Sequence, residues 1–336
     1  GSTGLLETLS FLKKTQPLLF SRTSTRKDSP FEAPMISEDK RPILLAGGTG
    51  QVGSEIRILA QRRGYPIKSP DSNLLDIRDP DSVRRIMDRT DPSLVINAAA
   101  WTNVDLAETE TEAAFRLNHK GPAHLASVCS ERNIPLVHMS TDYVFDGKKG
   151  TPYGEEDPTC PETVYGRSKL LGEEAVKNVL EQYVTLRVSW VFGTGGSNFV
   201  KTVLRLAGEK NELKVVADQH GCPTFAADIA EALMIMADRY FSGRPVQWGT
   251  YHFTGTNPVT WFEFATAIVD TAWQKGLIHQ KIPVLPIPTE QFPTPAKRPA
   301  YSVLDCSKIG DVFDIRQKDW REGLERMLEE QRLPHE

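Results

Sequence analysis

The sequence is poor in cysteine, and the cysteines it has are scattered. Only four occur among 336 residues, and no two are close enough for a CxxC zinc or redox motif. A chain of this length does not depend on disulfides for its stability. We therefore expect reduced thiols in a cytoplasmic protein, at Cys129, Cys160, Cys222 and Cys306.

Long hydrophobic runs and a strong charge bias are lacking as well. No apolar stretch approaches the roughly 20 residues that a transmembrane helix needs. The formal net charge is −4, which gives no reason to expect attraction to nucleic acid or to an anionic membrane. From these absences we expect a soluble enzyme or binding protein.

The first 39 residues do not share the pattern of the rest. Residues 3–31 are rich in Ser and Thr and slightly basic. They lack the long apolar core and the small-residue cleavage site of a secretory signal. We expect residues 1–39 to be an extension, a tag or a leader that is not part of the fold.

From Pro42 onward, strand-like and helix-like patterns alternate. Apolar runs at 43–46, 65–68, 94–100, 135–140 and 184–191 are separated by helical patterns at 52–63, 81–89, 111–132 and 162–182. This alternation predicts βαβ units with right-handed crossovers. We therefore predict an α/β fold with a doubly wound parallel sheet of the Rossmann type.

The alternation loosens after Phe192. Helical patterns recur at 199–207, 226–237 and 261–273. Six prolines between residues 282 and 299 exclude a regular helix there, and we expect an ordered loop passing over a site. The prediction is a dinucleotide-binding domain, 40–190 with 226–256, and a smaller mixed α/β substrate domain, 191–225 with 257–330.

A glycine-rich motif lies between the first strand and the first helix. Glycines allow a tight turn and close approach to a pyrophosphate, and the helix N-terminus offers free N–H groups. Any α/β protein can carry such a turn, so the motif alone is weak evidence. The residues expected to contact the cofactor here are Gly47, Gly50, Gln51, Val52 and Gly53.

Three further segments are candidates for the rest of the cofactor. At the end of the second strand, Lys68 favours a ribose 2′-phosphate and Asp71 favours a free 2′-hydroxyl, so NADPH and NADH both stay open. Asp76 and Ile77 suit the adenine, although a solvated loop fits Asp76 equally well. Small residues at a strand end would admit the nicotinamide half: Ala98, Ala99 and Ala100.

A tyrosine and a lysine lie four residues apart at the start of a predicted helix. Tyr165 and Lys169 therefore share one helix face. Ketone reduction needs a proton at the developing alkoxide, and an adjacent ammonium is expected to lower the tyrosine pKa. Ser140 or Thr141, at the end of an earlier strand, can orient the carbonyl. A lone YxxxK is common by chance, and its value lies in its order and spacing relative to the other segments.

These segments together resemble the extended short-chain dehydrogenase/reductases, and within them the nucleotide-sugar reductases. The resemblance runs from about residue 43 to 327, through LLAGGTGQVG, NAAAWTNVDLAE, STDYVFDG, VYGRSKLLGE, SWVFG, DQHGCPT and PTPAKRP. It implies hydride transfer from NADPH or NADH to C4 of dTDP-4-dehydro-L-rhamnose, giving dTDP-L-rhamnose.

The resemblance also assigns residues. It places Thr141, Tyr165 and Lys169 at catalytic positions. Trp190 matches an aromatic residue that packs on the sugar, although a core position is equally compatible with the sequence. Arg298 suits a diphosphate, since guanidinium binds phosphate oxygens in bidentate fashion. The full substrate-side set is Asp142, Tyr143, Trp190, Asn198, Gln219 and Arg298.

One departure concerns metal. Some members of the family bind Mg²⁺ at a dimer interface through acidic residues, and Glu55 matches one such position. Ala227 stands where a second carboxylate is expected. We therefore expect no metal, and a homodimer stays only a possible assembly.

Several other functions share this sequence pattern. Related dehydratases place Asp-Glu after the threonine, whereas Thr141 is followed by Asp142-Tyr143, which counts against dehydration. Epimerases share YxxxK but not PTPAKRP. A reductase of a related nucleotide 4-keto-sugar stays open. So does a non-catalytic NADP-binding regulatory subunit, like the methionine adenosyltransferase β subunit.

Overall fold

The computed structural model describes residues 41–330. The predicted extension at 1–39 lies outside the described residues. Within 41–330 the strands are β1 (Ile43–Ala46), β2 (Ile67–Lys68), β3 (Leu94–Asn97), β4 (Leu136–Thr141), β5 (Tyr183–Val188), β6 (Val191–Phe192), β7 (Leu213–Val216), β8 (His220–Gly221), β9 (Thr224–Phe225), β10 (Gly249–His252), β11 (Val259–Thr260) and β12 (Val284–Ile287).

The helices follow the strands in the expected alternation up to β5. They are α1 (Gln51–Arg62), α2 (Pro80–Thr90), α3 (Val104–Thr109), α4 (Thr111–Phe115), α5 (Gly121–Arg132), α6 (Val164–Val179), α7 (Phe199–Glu209), α8 (Ala226–Phe241), α9 (Trp261–Gln274), α10 (Ser307–Phe313) and α11 (Trp320–Glu330). A π-helical turn, Arg116–Lys120, joins α4 to α5.

A six-stranded sheet forms the centre of the described chain. Its order is β10-β5-β4-β3-β1-β2, and every pairing in it is parallel. The order reverses between β1 and β3, and ligands bind at such a switch point beyond the carboxyl ends of the strands. The predicted doubly wound parallel sheet is confirmed.

Two hydrophobic clusters cover the two faces of this sheet. Side chains along β1 point alternately to one face and the other, so successive residues belong to different clusters. Ile43 and Leu45 enter the cluster that includes residues of α1 and α8, whereas Leu44 enters the one that includes residues of α2 and α5. A third cluster gathers α7, α9 and α11, with Phe192, Phe264 and Trp320 among its members. The larger of the two cavities described below borders this third cluster.

Local chemistry explains several helix starts. Asp79 caps α2 by accepting from the Asp81 amide, and Pro80 occupies the first helical position, where its missing N–H is not needed. Thr163 caps α6 through the Gly166 amide. That cap starts the helix at Val164, two residues later than predicted, and puts Tyr165 in the first turn.

The structure differs from the sequence prediction in several places, and three of these differences concern strands. The predicted strand at 184–191 is broken at Trp190, whose backbone is left-handed with φ of 45°. The proline-rich segment contains a strand, β12, which pairs with β7 as one edge of a two-stranded sheet. An edge position tolerates Pro286 because its missing N–H has no partner to lose. Strand β10 was not predicted at all.

None of the helices within residues 41–330 is long and apolar enough to cross a membrane.

Candidate active site

A cavity of about 360 Å³ opens above the carboxyl end of β1, at the switch point of the sheet. It runs from the glycine-rich turn to Asp76 and Ile77 and is closed on another side by residues 98–100. Seven of the predicted cofactor residues line it: Gly47, Gly50, Asp76, Ile77, Ala98, Ala99 and Ala100. Gln51, Val52 and Gly53 do not line it.

The glycines shape this cavity by close packing. Gly47 is left-handed, and a Cβ there would lie 2.4 Å from the Ala99 nitrogen. A Cβ on Gly53 would lie 2.1 Å from the Gly47 carbonyl oxygen. Gly53 therefore serves the turn rather than the ligand directly, since it lets α1 approach the loop.

The first turn of α1 fits a bound diphosphate. Its N-cap, Gly50, has no side chain, so no side-chain hydrogen bond caps the helix. The first amides of a helix have no intrahelical partner, and together with the helix dipole they favour an anion. The cavity, the bare glycine turn and the exposed helix N-terminus together fit a nicotinamide dinucleotide.

At the adenine end, Asp76 is already engaged. Both of its carboxylate oxygens accept from Arg78 at 2.8 Å, and this pairing lowers the pKa of Asp76. Arg78 also lines the cavity and had no assigned role in the sequence prediction.

The Ala98–Ala100 wall is held from behind by a buried pair. Asn97 accepts from the Ala99 amide at 3.1 Å, and its amide nitrogen lies 3.1 Å from His138 Nδ1. Burial lowers the pKa of His138 well below its ordinary value, so the ring is neutral. A neutral ring accepts from Asn97 at Nδ1, and the pair fixes the wall.

Thr141, Tyr165 and Lys169 are brought together in the interior. All three are buried, Thr141 at the end of β4 and the other two on α6. Tyr165 packs in a small cluster with Trp101, Val104 and neighbours. The segment containing these two residues borders both cavities, since 98–100 line the first and 102–105 line the second.

Two glycines let α6 reach this position. A Cβ on Gly166 would lie 2.2 Å from the Tyr143 carbonyl oxygen, and one on Gly172 would lie 2.2 Å from the Asn118 carbonyl oxygen. The helix thus packs directly against the turn after β4 and against the π-helical turn. Asn118 secures the latter contact by donating to the Ser168 hydroxyl at 3.0 Å.

Burial dominates the protonation of these groups. It raises the pKa of Tyr165 to about 12, against a hydrogen bond with Thr141 that lowers it. It lowers the pKa of Lys169 to about 8, and it raises the pKa of Asp142 to about 6. The expectation that Lys169 lowers the tyrosine pKa is therefore not met in this arrangement. The Lys169 ammonium instead donates to the Met139 carbonyl oxygen at 2.6 Å.

A second cavity, of about 680 Å³, lies beside Tyr143. Tyr143 meets Tyr165 edge to face, with ring centroids 5.5 Å apart. Four of the six predicted substrate residues line this cavity: Tyr143, Asn198, Gln219 and Arg298. Asp142 and Trp190 do not. Asp142 is buried and accepts from the Thr141 hydroxyl at 2.9 Å.

Trp190 is covered rather than open to the cavity. Its ring stacks on Trp261 at 3.5 Å and 7°, and the Gly221 backbone lies against its indole. Trp261 lines the cavity instead. The sequence analysis did not single out Trp261, because a tryptophan at the start of a predicted helix is usually interpreted as a core residue.

Two residues that line the second cavity, Asn198 and Gln219, also form hydrogen bonds that hold its wall in place. Asn198 caps α7 by accepting from the Lys201 amide, and it donates to the Gln51 side chain at 3.0 Å. Gln219 donates to the Thr289 hydroxyl at 3.0 Å. These bonds tie the cavity wall to α1 and to the proline-rich segment.

Arg298 is fixed by a partner that the sequence did not single out. Its Nη2 donates to Asp105 at 2.7 Å, and Asp105 also accepts from the Ala296 amide. The Arg298 Nη1 atom is buried and has no hydrogen-bond partner among the described residues. It is the donor that an anionic group in this cavity would meet.

Glu55, the position that matched a metal ligand of the family, is hydrogen-bonded within the chain. Glu55 accepts from the Thr194 hydroxyl at 3.3 Å, and burial raises its pKa. Ala227 packs against the third hydrophobic cluster. Residues 41–330 contain no group of three or more potential metal ligands.

Comparison with known proteins agrees with this geometry. The family model described as the RmlD substrate binding domain matches residues 41–333. The dTDP-4-dehydrorhamnose reductase of Aggregatibacter actinomycetemcomitans is 42% identical over 84% of this chain and 96% of its own.

Solved structures give the same result. The dTDP-4-dehydrorhamnose reductase of Clostridium acetobutylicum has a TM-score of 0.80 and 34% identity, covering 87% of this chain and 100% of its own. That of Bacillus anthracis, in complex with NADP, has a TM-score of 0.79 and 36% identity, covering 86% and 99%. The resemblance noted in the sequence is thereby confirmed, and the chain belongs to the RmlD substrate binding domain family.

Proposed function

We propose that this protein reduces the C4 ketone of dTDP-4-dehydro-L-rhamnose to dTDP-L-rhamnose with NADPH or NADH. The observation that carries the proposal is the buried Thr141, Tyr165 and Lys169 set beside a segment that borders both cavities. One cavity fits a dinucleotide and the other a nucleotide sugar. The relatives named for this reaction support it.

The reduced nicotinamide, when bound, supplies a hydride to the carbonyl carbon. Tyr165 donates the proton to the carbonyl oxygen, so that ketone, hydride and proton give the alcohol. Its high pKa keeps the phenol protonated near neutral pH, in the form that can donate. Thr141 orients the carbonyl oxygen through its hydroxyl.

The proposed role of Lys169 is to supply a positive charge that compensates the negative charge formed on Tyr165. With a pKa of about 8 it is mainly an ammonium at neutral pH, although it is buried. Its present acceptor is a backbone carbonyl. Only an ammonium moved from that carbonyl to the phenol would stabilise the phenolate that Tyr165 becomes on giving up its proton.

The second cavity suits a nucleotide sugar because it combines a cation with aromatic walls. Arg298 has a free buried donor for a diphosphate oxygen. Trp261, Phe292 and Tyr143 supply apolar surface for the sugar and base.

The test is oxidation of NADPH and NADH, followed at the nicotinamide absorbance, with dTDP-4-dehydro-L-rhamnose generated in situ. We expect turnover with dTDP-L-rhamnose as product. Turnover only with a different dTDP-4-keto-sugar would identify the related reductase. Cofactor binding without turnover of any keto-sugar would contradict the proposal and favour a regulatory subunit.

Trp261 gives a test of the substrate cavity. We expect Trp261→Ala to raise KM for the sugar nucleotide by about 5- to 30-fold, because it removes an aromatic wall worth roughly 1–2 kcal/mol. The Kd for NADPH should not change. Trp273→Ala is the control, since Trp273 lies on the same helix, is 49% exposed and does not line the cavity.

Trp261 stacks on Trp190, so Trp261→Ala could also destabilise the fold, and the free energy of unfolding of each variant is measured as well. Trp261→Phe keeps an aromatic ring and should restore most of the affinity. An unchanged KM in folded Trp261→Ala would show that the sugar lies elsewhere, with Trp190 as the next candidate.

We further propose the two-domain division given above, a cytoplasmic location and a homodimer. The third hydrophobic cluster, which holds α7, α9 and α11 together, supports the division. The location is supported by the cysteines, which are all free thiols in the described chain. The homodimer rests on the family resemblance, and sedimentation equilibrium tests it.

A further inference from the structure

The hydroxyl group of Thr141 is already used inside the protein. It donates to Asp142 Oδ1 at 2.9 Å, and its oxygen accepts from the Tyr143 backbone amide at 3.2 Å. Both side chains are inaccessible to water, since Thr141 is 5% exposed and Asp142 is 3% exposed. A hydroxyl has one proton and two lone pairs. While that proton is given to Asp142, Thr141 cannot donate it to a ketone oxygen.

The carboxylate form of Asp142 is poorly compensated. Its Oδ2 atom is buried and has no hydrogen-bond partner among residues 41–330. Neither does any lysine, arginine or histidine of the described chain form an ion pair with it. Burial raises the pKa of Asp142 to about 6, although the hydrogen bond from Thr141 lowers it. The carboxyl group can therefore gain or lose its proton close to neutral pH.

The titratable groups that face Asp142 are neutral in this pH range. Burial raises the pKa of Tyr165, on α6, and of Cys222, between β8 and β9, to about 12, and the charge of Asp142 raises both further. Burial also raises the pKa of Tyr143, in the same turn. Ser302, before α10, faces Asp142 with an uncharged hydroxyl. Within this set, Asp142 is the group whose charge changes near pH 6.

We propose that Asp142 is a positioning residue for Thr141, and that ketone reduction is fastest when its carboxyl group is protonated, because Thr141 is then released to donate to the ketone oxygen. The proposal rests on the proposed function and deepens it. A protonated Asp142 donates to the Thr141 oxygen, which reverses the bond between them and leaves the Thr141 proton for the substrate. An ionised Asp142 takes that proton back, and Tyr165 stays as the donor to the ketone.

The experiment measures the rate of hydride transfer in a single turnover, with dTDP-4-dehydro-L-rhamnose and NADPH both saturating, as a function of pH. In the wild type we expect a decline of about 10-fold between about pH 5 and about pH 7.5, since one hydrogen bond to the developing alkoxide is lost. The midpoint should lie near the pKa of Asp142, about 6, and below that of Lys169, about 8. Asp142→Asn should show no decline, because an amide does not titrate.

Thr141→Val tests whether Asp142 acts through Thr141. The ionised carboxylate could also slow the reaction directly, because its charge raises the pKa of Tyr165. If it acts through Thr141, Thr141→Val should lose about 10-fold at the acid end and less than about 2-fold at the alkaline end, which gives a flat profile. Thr141→Ser keeps the hydroxyl and should keep the wild-type decline. A decline that persists in Thr141→Val would contradict the proposal.

Glu155→Gln is the matched control. Burial also raises the pKa of this carboxyl group, but it accepts from the His252 amide instead of a hydroxyl in the site. We expect the wild-type decline in this variant. A flat profile in the wild type, or a decline retained in Asp142→Asn, would overturn the inference and leave the proposed function intact. If the wild type reduced no keto-sugar at any pH, the proposed function would fail and the inference with it.

Discussion

Replacing Tyr165 by phenylalanine is expected to lower kcat for ketone reduction by about 10²- to 10⁴-fold, the usual contribution of a positioned general acid. The ring stays in its buried cluster, so only the proton donor is lost. Cofactor affinity should not change. Single-turnover rates and the Kd for NADPH, measured on the same preparation, separate the two effects.

Tyr143→Phe tests whether Tyr143, rather than Tyr165, is the general acid. Tyr143 lies edge to face against Tyr165 and lines the second cavity, so it is a nearby phenol that could replace it. We expect its loss to change KM more than kcat. If Tyr143→Phe abolishes turnover and Tyr165→Phe retains it, the acid has been assigned to the wrong residue.

Removing Glu173 is expected to destabilise the protein by about 3–5 kcal/mol. Its carboxylate accepts from Arg187 Nη2 at 2.7 Å and from Nε at 2.9 Å, and both residues are buried. Glu173→Ala leaves the guanidinium buried without its counter-ion, and this uncompensated charge is the main cause of the loss. Urea unfolding monitored by circular dichroism gives the free energy of unfolding.

A surface pair provides the control for Glu173. Arg84 and Glu131 form a similar bidentate contact, but each side chain is nearly half exposed. Glu131→Gln should leave the free energy of unfolding almost unchanged, because water screens an exposed pair. Equal effects at the two sites would show that burial of the Arg187 pair does not matter.

Glu173 also connects stability to the active site. Its charge raises the pKa of Lys169, opposing the effect of burial. Without it, Lys169 loses its proton at a lower pH. The variant should therefore show an alkaline decline in activity that begins at lower pH than in the wild type.

The sequence was sufficient for the fold class and the family because their signals are local. Alternating apolar runs and helices predicted the parallel sheet, and the family motifs lie in short unbroken segments. The glycine turn and the Tyr165 helix start were found the same way, within two residues of the observed boundaries. The roles of the individual site residues stay predictions.

What could not be predicted depends on contacts between distant segments. Strand β10 has only four residues and owes its place to pairing with β5, which a local pattern does not encode. The covering of Trp190 by Trp261 is likewise a contact between residues 71 positions apart. The role of Asp105 could not be predicted from the sequence, because its partner Arg298 is 193 positions away along the chain.

The late arrival of β10 has a consequence for synthesis. Ribosomes add roughly 5–20 residues per second, so several seconds separate the completion of β5 from that of its outer neighbour. During that interval β5 is an edge strand with unpaired backbone groups. Helix α8, made in between, packs against α1, and Asp238 on α8 accepts from Tyr65. The nascent chain therefore leaves one edge of β5 unpaired until residue 252 has emerged, and during that interval pairing with another chain competes with correct folding.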